Sequence, residues 1–437
     1  MTIRFDDAWT AITTIALNIS RRGRDVVALR DMVGRISIIL NDHDAEVAPN
    51  DLNTWQEEMR AAAGTFCANN PILLATQLFQ PDEIFEDPDL LEISEPGEGI
   101  GRCALLERRV VGGDWSRVRS QPASRRVTLY GFKGGVGRSS ATFLLAQRLA
   151  EVGKSVLVID LDLESPGIGP LLQSNSEAPE FGLVDYFVEA AVGNEADLDL
   201  VVRSNQFRIA GNGEVWVAPA RGAPRDGYAY LPKLNRVYTE LPSGGESGRM
   251  SFARRLESAV IACETEVGRR SRVPDVVLLD SRAGIHDVAA VAITQLSDLS
   301  LLFATDNPQT WTGYRDLFTQ WSISGAAPLI RERLRMVASM VPPTATDSYL
   351  QKFRDRSQTC FAATLYDDAP AGDTEAYNPA PEDEEAPHFP IPILFVGELV
   401  GLDPSERSGW HESEIVRAAF GEFLDRAVEL TVGADDA

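Results

Sequence analysis

Residues 130–140 read Tyr-Gly-Phe-Lys-Gly-Gly-Val-Gly-Arg-Ser-Ser, and this stretch constrains the fold more than any other. A β-branched run at 127–130 leads into it, and a helical pattern at 140–152 leads out. Gly134, Gly135 and Gly137 let the backbone turn several N–H groups to one side. A helix that starts near Ser139 adds the positive end of its dipole. A strand, a glycine-rich turn and a helix in that order form a cradle for a phosphate group. Such a cradle belongs in a parallel sheet, because the helix must cross over before the next strand can join.

The rest of the chain agrees with that placement. Short apolar runs at 127–130, 155–160, 214–218, 275–280, 300–305, 335–341 and 391–398 alternate with amphipathic stretches such as 140–152 and 252–266. Nearly continuous apolar strands between helices predict a mostly parallel sheet covered by helices on both faces. Residues 414–429 form a further amphipathic helix whose polar face is mixed in charge, so packing on the domain is expected rather than membrane binding. Upstream the pattern is different. Phe5, Trp9, Ile12, Ala16 and Ile19 recur at helical spacing, and Val26, Leu29, Val33, Ile36 and Leu40 suggest a second stripe. Thr54 and Glu57 fit a capping box that opens a third helix, and 71–79 is read as a fourth. The expected architecture is α/β, with a smaller α-helical domain at 1–115 before an α/β domain at 116–437. A polar linker is expected within 116–124.

Acidic residues outnumber basic ones by 65 to 41 in 437 residues, a net charge of -24. That balance disfavours non-specific nucleic-acid binding. It is unevenly spread: residues 82–98 and 367–385 each carry eight acids and no base. The second run lies in an insertion at about 365–387, rich in Pro, Ala and Gly, and is read as a solvated loop. Arginines between 102 and 126 could pair with the first run in cis or dock an acidic partner. No apolar run nears the roughly 20 residues needed to span a bilayer. Cys67, Cys103, Cys263 and Cys360 lie far apart, without C-x-x-C. That spacing excludes the usual paired-cysteine metal site and suggests reduced thiols in a cytoplasmic protein.

The segment Lys133, Gly134, Gly135, Val136, Gly137, Arg138, Ser139 and Ser140 resembles the deviant Walker A motif, K-G-G-x-G-K-[ST]-[ST], of the ParA/MinD family of P-loop ATPases. Three further segments resemble that family's motifs in order. Val156 to Asp162 is similar to its D-x-D switch I, Val276 to Gly284 to its Walker B and switch II, and Leu302 to Pro308 to the strand and T-N-P turn that follow. The resemblance implies a P-loop NTPase sheet that binds ATP and Mg²⁺ and forms a homodimer in the ATP state. It implies that Gly134 to Ser140 hold the phosphates, and that Lys133 reaches the nucleotide of the partner subunit. Only four lysines occur in the chain, so a lysine at 133 is not a by-product of composition. The resemblance further implies that Ser139, Asp160 and Asp280 serve the metal, that Asp162 orients the attacking water, and that Gly284 senses the terminal phosphate.

Three positions depart from the pattern. Arg138 stands where the family has the second lysine; it can neutralise phosphate, but its planar fork differs from a compact ammonium, which puts fast hydrolysis in question. Arg282 replaces the switch II proline, as a transition-state cation or as an exposed loop residue. Ser339 falls where the family reads adenine with asparagine. No cysteine sits near switch II, as the iron–sulfur carriers of this class require, and no basic helix closes the chain. The expected function is an ATP-binding, slowly hydrolysing dimerisation switch that acts on a protein partner through residues 1–115. One alternative is a non-hydrolysing nucleotide-binding scaffold or sensor in a multi-protein system such as bacterial defence. Another is a DNA-partition ATPase that would use the arginines at 117–126 or 269–272.

Overall fold

The computed structural model describes residues 3–43, 47–87, 89–94, 100–108, 112–122, 125–173, 177–242, 249–370, 376–401 and 409–433. It divides into two compact units, Met1–Gly113 and Asp114–Ala437.

The first unit contains α1 (Phe5–Ser20), β1 (Val26–Arg30), β2 (Ile36–Leu40), α2 (Pro49–Ala63), β3 (Cys67–Leu74), the short α3 (Asp82–Phe85), β4 (Leu91–Ser94) and β5 (Cys103–Glu107). Its strands form one sheet in the order β3-β2-β1-β5-β4. The helical expectation holds for α1 and α2, whereas a five-stranded sheet makes up most of the remainder, so this unit is mixed rather than α-helical. The stripe from Val26 to Leu40 is an antiparallel hairpin, with Val26 opposite Leu40 and Arg30 opposite Ile36. Both strands are buried nearly throughout, and a run buried on both faces carries no period that tells helix from strand. The turn between them decides the matter: Asp31 Oδ1 accepts from the N–H groups of Val33 and Arg35, and Gly34 lies at φ 88°. Likewise 71–79 is the end of β3 followed by a 3-10 turn. Helix α2 begins at Pro49, five residues before Thr54, whose hydroxyl donates back to the Asn50 carbonyl from inside the helix. The acidic and basic stretches do meet in cis, through Arg102–Glu92 and Arg108–Asp87. Glu95 and Glu98 lie outside the described residues.

The second unit runs through β6 (Arg126–Gly131), α4 (Arg138–Glu151), β7 (Ser155–Asp160), α5 (Ile168–Leu172), α6 (Leu183–Ala190), β8 (Val202–Arg203), β9 (Glu214–Ala218), α7 (Tyr230–Val237), the short pair β10 (Leu241–Pro242) and β11 (Arg249–Met250), and α8 (Phe252–Arg270). It continues with β12 (Val276–Asp280), α9 (Asp287–Val291), β13 (Leu299–Ala304), α10 (Pro308–Ile323), α11 (Ala327–Ile330), β14 (Leu334–Val341), α12 (Thr346–Ala362), β15 (Ile391–Leu394) and α13 (Glu414–Val432). The main sheet has eight strands in the order β15-β14-β13-β6-β12-β7-β9-β8. All are parallel except β8, which runs against β9 at the edge. Side chains alternate between two apolar layers, as strand geometry requires. Val156, Val158, Val276 and Leu278 face α4 and α13, while Leu157, Ile159, Val277 and Leu279 face α6, α8 and α9. Helices therefore cover both faces, as the alternation of strands and helices predicts. Helix α13 packs through Val416, Ala419, Phe420, Phe423 and Ala427. Among the described residues no helix is long and apolar enough to cross a membrane.

Of the two loop readings, the linker is revised. The described part of 116–124 hugs the second unit: Trp115 is buried beside it, and Arg119 forms a two-pronged pair with Glu257. The end of that segment, Ala123 and Ser124, lies outside the described residues. The described acids of the acidic insertion, Asp367, Asp368, Glu382, Asp383, Glu384 and Glu385, are exposed, as a solvated loop requires, while residues at its margins are buried. Tyr366, Ala386 and His388 are buried, and Asp367 pairs with Arg331, whose guanidinium lies 4.3 Å from the Tyr377 ring centroid. Asp373 and Glu375 lie outside the described residues.

His388 sets a pH dependence. Its Nδ1 is 2.7 Å from the Tyr366 hydroxyl and its Nε2 3.3 Å from the Pro381 carbonyl, which suits a neutral ring that accepts at Nδ1 and donates at Nε2. Burial holds its pKa below the ordinary value of 6.5. The unfolded chain therefore takes up this proton first, and the contribution to stability, full above about pH 6.5, is lost as pH falls below that. Denaturant midpoints at pH 7.5 and 5.5 are expected to differ less in His388→Phe than in the wild type; an equal or larger difference would contradict the assignment.

Candidate functional site

The glycine-rich loop connects the end of β6 to α4 at the carboxyl edge of the parallel strands, where ligands of open α/β sheets bind. Its base is tight: a Cβ on Gly131 would come within 2.8 Å of Val136 Cγ2. Gly137 precedes the first turn of α4 at φ 77°, a conformation that opens the helix N-terminus toward the loop and is costly for other residues. Gly134 and Gly135 are exposed, while Val136 points into the core.

Two carboxylates end the neighbouring strands. Asp160 closes β7 and Asp280 closes β12, directly opposite one another in the parallel register. Both are fully buried. Asp280 Oδ1 accepts from Arg138 Nε at 2.8 Å and from Thr142 Oγ1 at 3.4 Å, and its Oδ2 accepts from Ser139 Oγ at 2.8 Å. Arg138 Nη2 reaches Asp162 Oδ2 at 3.3 Å. Asp162 Oδ1 accepts from the Ser165 N–H at 3.2 Å. Asp160 accepts from the N–H groups of Asp162 and Gly169, both at 3.2 Å. The fold thus gathers Arg138, Ser139, Asp160, Asp162 and Asp280 into one cluster, in which Arg138 bridges switch I and the end of β12. Ser140 opens the same helix turn, and Lys133 stands apart, with its Nζ on Gln309 Oε1 of α10.

Burial and charge act against each other here. Burial, reinforced by Asp280, pushes the Asp160 pKa up to about 8. Asp162 is also raised, chiefly by burial, with Arg138 pulling the other way. Burial opposes the charge on Arg138, yet Asp280 and Asp162 together outweigh it, and the guanidinium ends more basic than usual.

In this arrangement Ser139, Asp160 and Asp280, to which the resemblance gives metal roles, are turned to protein donors and acceptors. Every carboxylate oxygen of Asp160, Asp162 and Asp280 already accepts from a protein donor, and no group of three or more His, Cys, Asp or Glu among the described residues could hold a metal ion.

A second cluster joins the switch segments. Arg282 Nη1 pairs with Glu164 Oε2 at 2.6 Å, and its side chain is half-buried rather than an exposed loop arginine. Tyr238 donates to Glu164 Oε1, and Tyr230 donates to the Leu163 carbonyl. Gly284 sits on the base of the phosphate loop: its N–H donates to the Gly131 carbonyl at 3.3 Å, and its carbonyl accepts from Tyr130 at 3.1 Å. Ser339 turns its hydroxyl inward to the Ala304 carbonyl. Thr142, Glu164, Tyr230, Tyr238 and Gln309 were not singled out from the sequence. Thr142, four residues after Arg138 on the same helix face, had a readable signal; the others had none. Most of the arginines considered for DNA are paired: Arg117 with Asp114, Arg119 with Glu257, Arg126 with Glu264, Arg270 with Asp199 and Glu266, and Arg272 with Asp275, whereas Arg125 is exposed and Arg269 lies 4.0 Å from an exposed Asp197.

Residues 123–190, which span the phosphate loop and switch I, match the family model described as ParA: NUBPL iron-transfer P-loop NTPase. No curated protein matches the chain. Among solved structures, "Structure of pnob8 ParA" is similar at 16% identity and a TM-score of 0.42, over 72% of this chain and 100% of that one. The "MinC:MinD cell division protein complex" of Aquifex aeolicus is similar at 15% identity and a TM-score of 0.41, over 70% and 96%. Cobyrinic acid a,c-diamide synthase from Mycobacterium smegmatis, with bound ATP analog and magnesium, gives 15% identity and a TM-score of 0.41, over 70% and 95%.

Proposed function

From the premise that this chain is a ParA/MinD-like P-loop NTPase, we propose that it binds ATP at residues 133–140 and works as a dimerisation switch whose turnover is slow. The observation that carries the reading is the separation of two cations in one loop. Arg138 is drawn into the carboxylate cluster, while Lys133 stays outside it on a partly exposed side chain held by Gln309. The inner cation offers charge to a phosphate bound in this subunit. The outer one is placed to reach across to a nucleotide in a second copy. The loop N–H groups and the N-terminus of α4 would bind the same phosphates. The unit Met1–Gly113 would then pass the nucleotide state to a protein partner.

Asp162 is the residue proposed to orient water. Its Oδ2 is tied to Arg138, so freeing it costs that contact, and hydrolysis is expected well below the range of about 1–10³ s⁻¹ common among enzymes. The same contact favours a second reading, a nucleotide-binding scaffold without turnover. Phosphate release that Asp162→Ala abolishes supports the switch; ATP binding with no release supports the scaffold.

Sedimentation of the full chain with ATP, with ADP and with neither tests dimerisation. A doubling of mass in ATP alone is expected, and Lys133→Ala is expected to remain monomeric. Unchanged mass in ATP would sink the dimer, and a Lys133→Ala protein that still dimerises would remove its stated cause.

A further inference from the structure

Arg138 occupies the space between the carboxylates of switch I and β12 and the phosphate loop. Its fork makes two different contacts at once, Nε to Asp280 and Nη2 to Asp162, and Nη1 makes no hydrogen bond to a described residue. A lysine ammonium also has three donors, but they radiate from one nitrogen, whereas the guanidinium spreads its donors over a rigid plane that reaches two separate carboxylates and a third group. The side chain is 9% exposed, so these contacts form in a weakly screened setting. The six oxygens of Asp160, Asp162 and Asp280 each accept from a protein donor, so a divalent cation would compete with those donors for the carboxylates.

We propose that the Arg138 guanidinium takes the place of a divalent cation, linking the carboxylates of Asp162 and Asp280 to the phosphates of a bound nucleotide, so that nucleotide capture is independent of divalent metal. This inference rests on the proposed binding of ATP at the loop. Three features support it together. Arg138 begins α4, whose N-terminus already favours an anion. Ser139 donates its hydroxyl to Asp280 and so holds that carboxylate toward the guanidinium. Thr142 donates to the same carboxylate from one turn further along. The site thus carries its counter-charge covalently, and its affinity for phosphate does not follow the supply of metal.

Isothermal titration of ATP into the full chain, once with excess EDTA and once with MgCl₂, tests the proposal. The two dissociation constants are expected to agree within about threefold. Weakening of about tenfold or more in EDTA would overturn it. Absence of heat in both buffers would instead overturn the nucleotide-binding reading beneath it. Arg138→Lys is expected to create a metal requirement, with affinity in EDTA at least about tenfold below that in MgCl₂. If Arg138→Lys binds equally well in both buffers, the guanidinium is not the cause and the proposal fails. Should that variant prove unfolded by circular dichroism, the comparison of buffers on the wild type still decides.

Discussion

Asp280→Ala is expected to destabilise the second unit by about 3–5 kcal/mol, the usual cost of breaking a buried ion pair from one side. Asp280 is fully buried and is the acceptor for Arg138, Ser139 and Thr142. Alanine leaves a buried guanidinium with Asp162 at 3.3 Å as its remaining carboxylate contact, and it takes the acceptor from the Ser139 hydroxyl, while Thr142 keeps its bond to the Arg138 carbonyl. The charge, more than the lost bonds, makes the effect large. Removing both members therefore costs far less than removing one: Arg138→Met with Asp280→Leu is expected to recover most of the loss. Urea unfolding followed by intrinsic fluorescence measures this, provided the slope stays constant between variants. A single-variant cost below about 1 kcal/mol would mean that the Arg138–Asp280 pair is open in solution.

That cluster also shows how far a sequence can be read here. The phosphate loop and both strand-end carboxylates were legible because each occupies a fixed offset from a recognisable strand or helix. The parallel sheet followed from the same periodicity. What escaped was whatever depends on contacts distant in sequence. Glu164 gives no local sign that it will meet Arg282 and Tyr238. The hairpin from Val26 to Arg30 and Ile36 to Leu40 was mistaken for helix because burial on both faces erases the alternation that marks a strand. In the acidic insertion the charges are exposed, as composition indicates, but composition does not show that the neighbouring Tyr366 and His388 are inside. Arg138 is the instructive middle case. Its departure from lysine was visible at once, yet which carboxylates it would grip depended on the side-by-side arrangement of β7 and β12.

Arg255→Met is expected to cost about 3 kcal/mol and, beyond that, to loosen the switch segments. Arg255 lies on α8, 3% exposed, and donates to the carbonyls of Val237 at 2.6 Å, Phe187 at 2.8 Å, Thr239 at 2.5 Å and Arg236 at 3.5 Å. Arg236 and Val237 end α7, so the guanidinium caps that helix at the negative end of its dipole. Burial lowers its pKa, and its partners are four carbonyl oxygens. Methionine preserves the stem's volume and deletes every donor, which leaves the end of α7 uncapped around the buried Val237. The consequence travels by contact. Tyr230 opens α7 and Tyr238 follows it, and these two hydroxyls hold the Leu163 carbonyl and the Glu164 carboxylate, which in turn grips Arg282. Amide exchange is therefore expected to rise first at 230–239 and then at 161–166 and 281–286, while β13 and β14 stay protected. Faster exchange confined to 230–239 would break the proposed chain of contacts at the tyrosines. A Tyr238→Phe variant, which deletes only the bond to Glu164, should reproduce the rise at 161–166 with little loss of stability, because the ring and its packing against Phe252 remain.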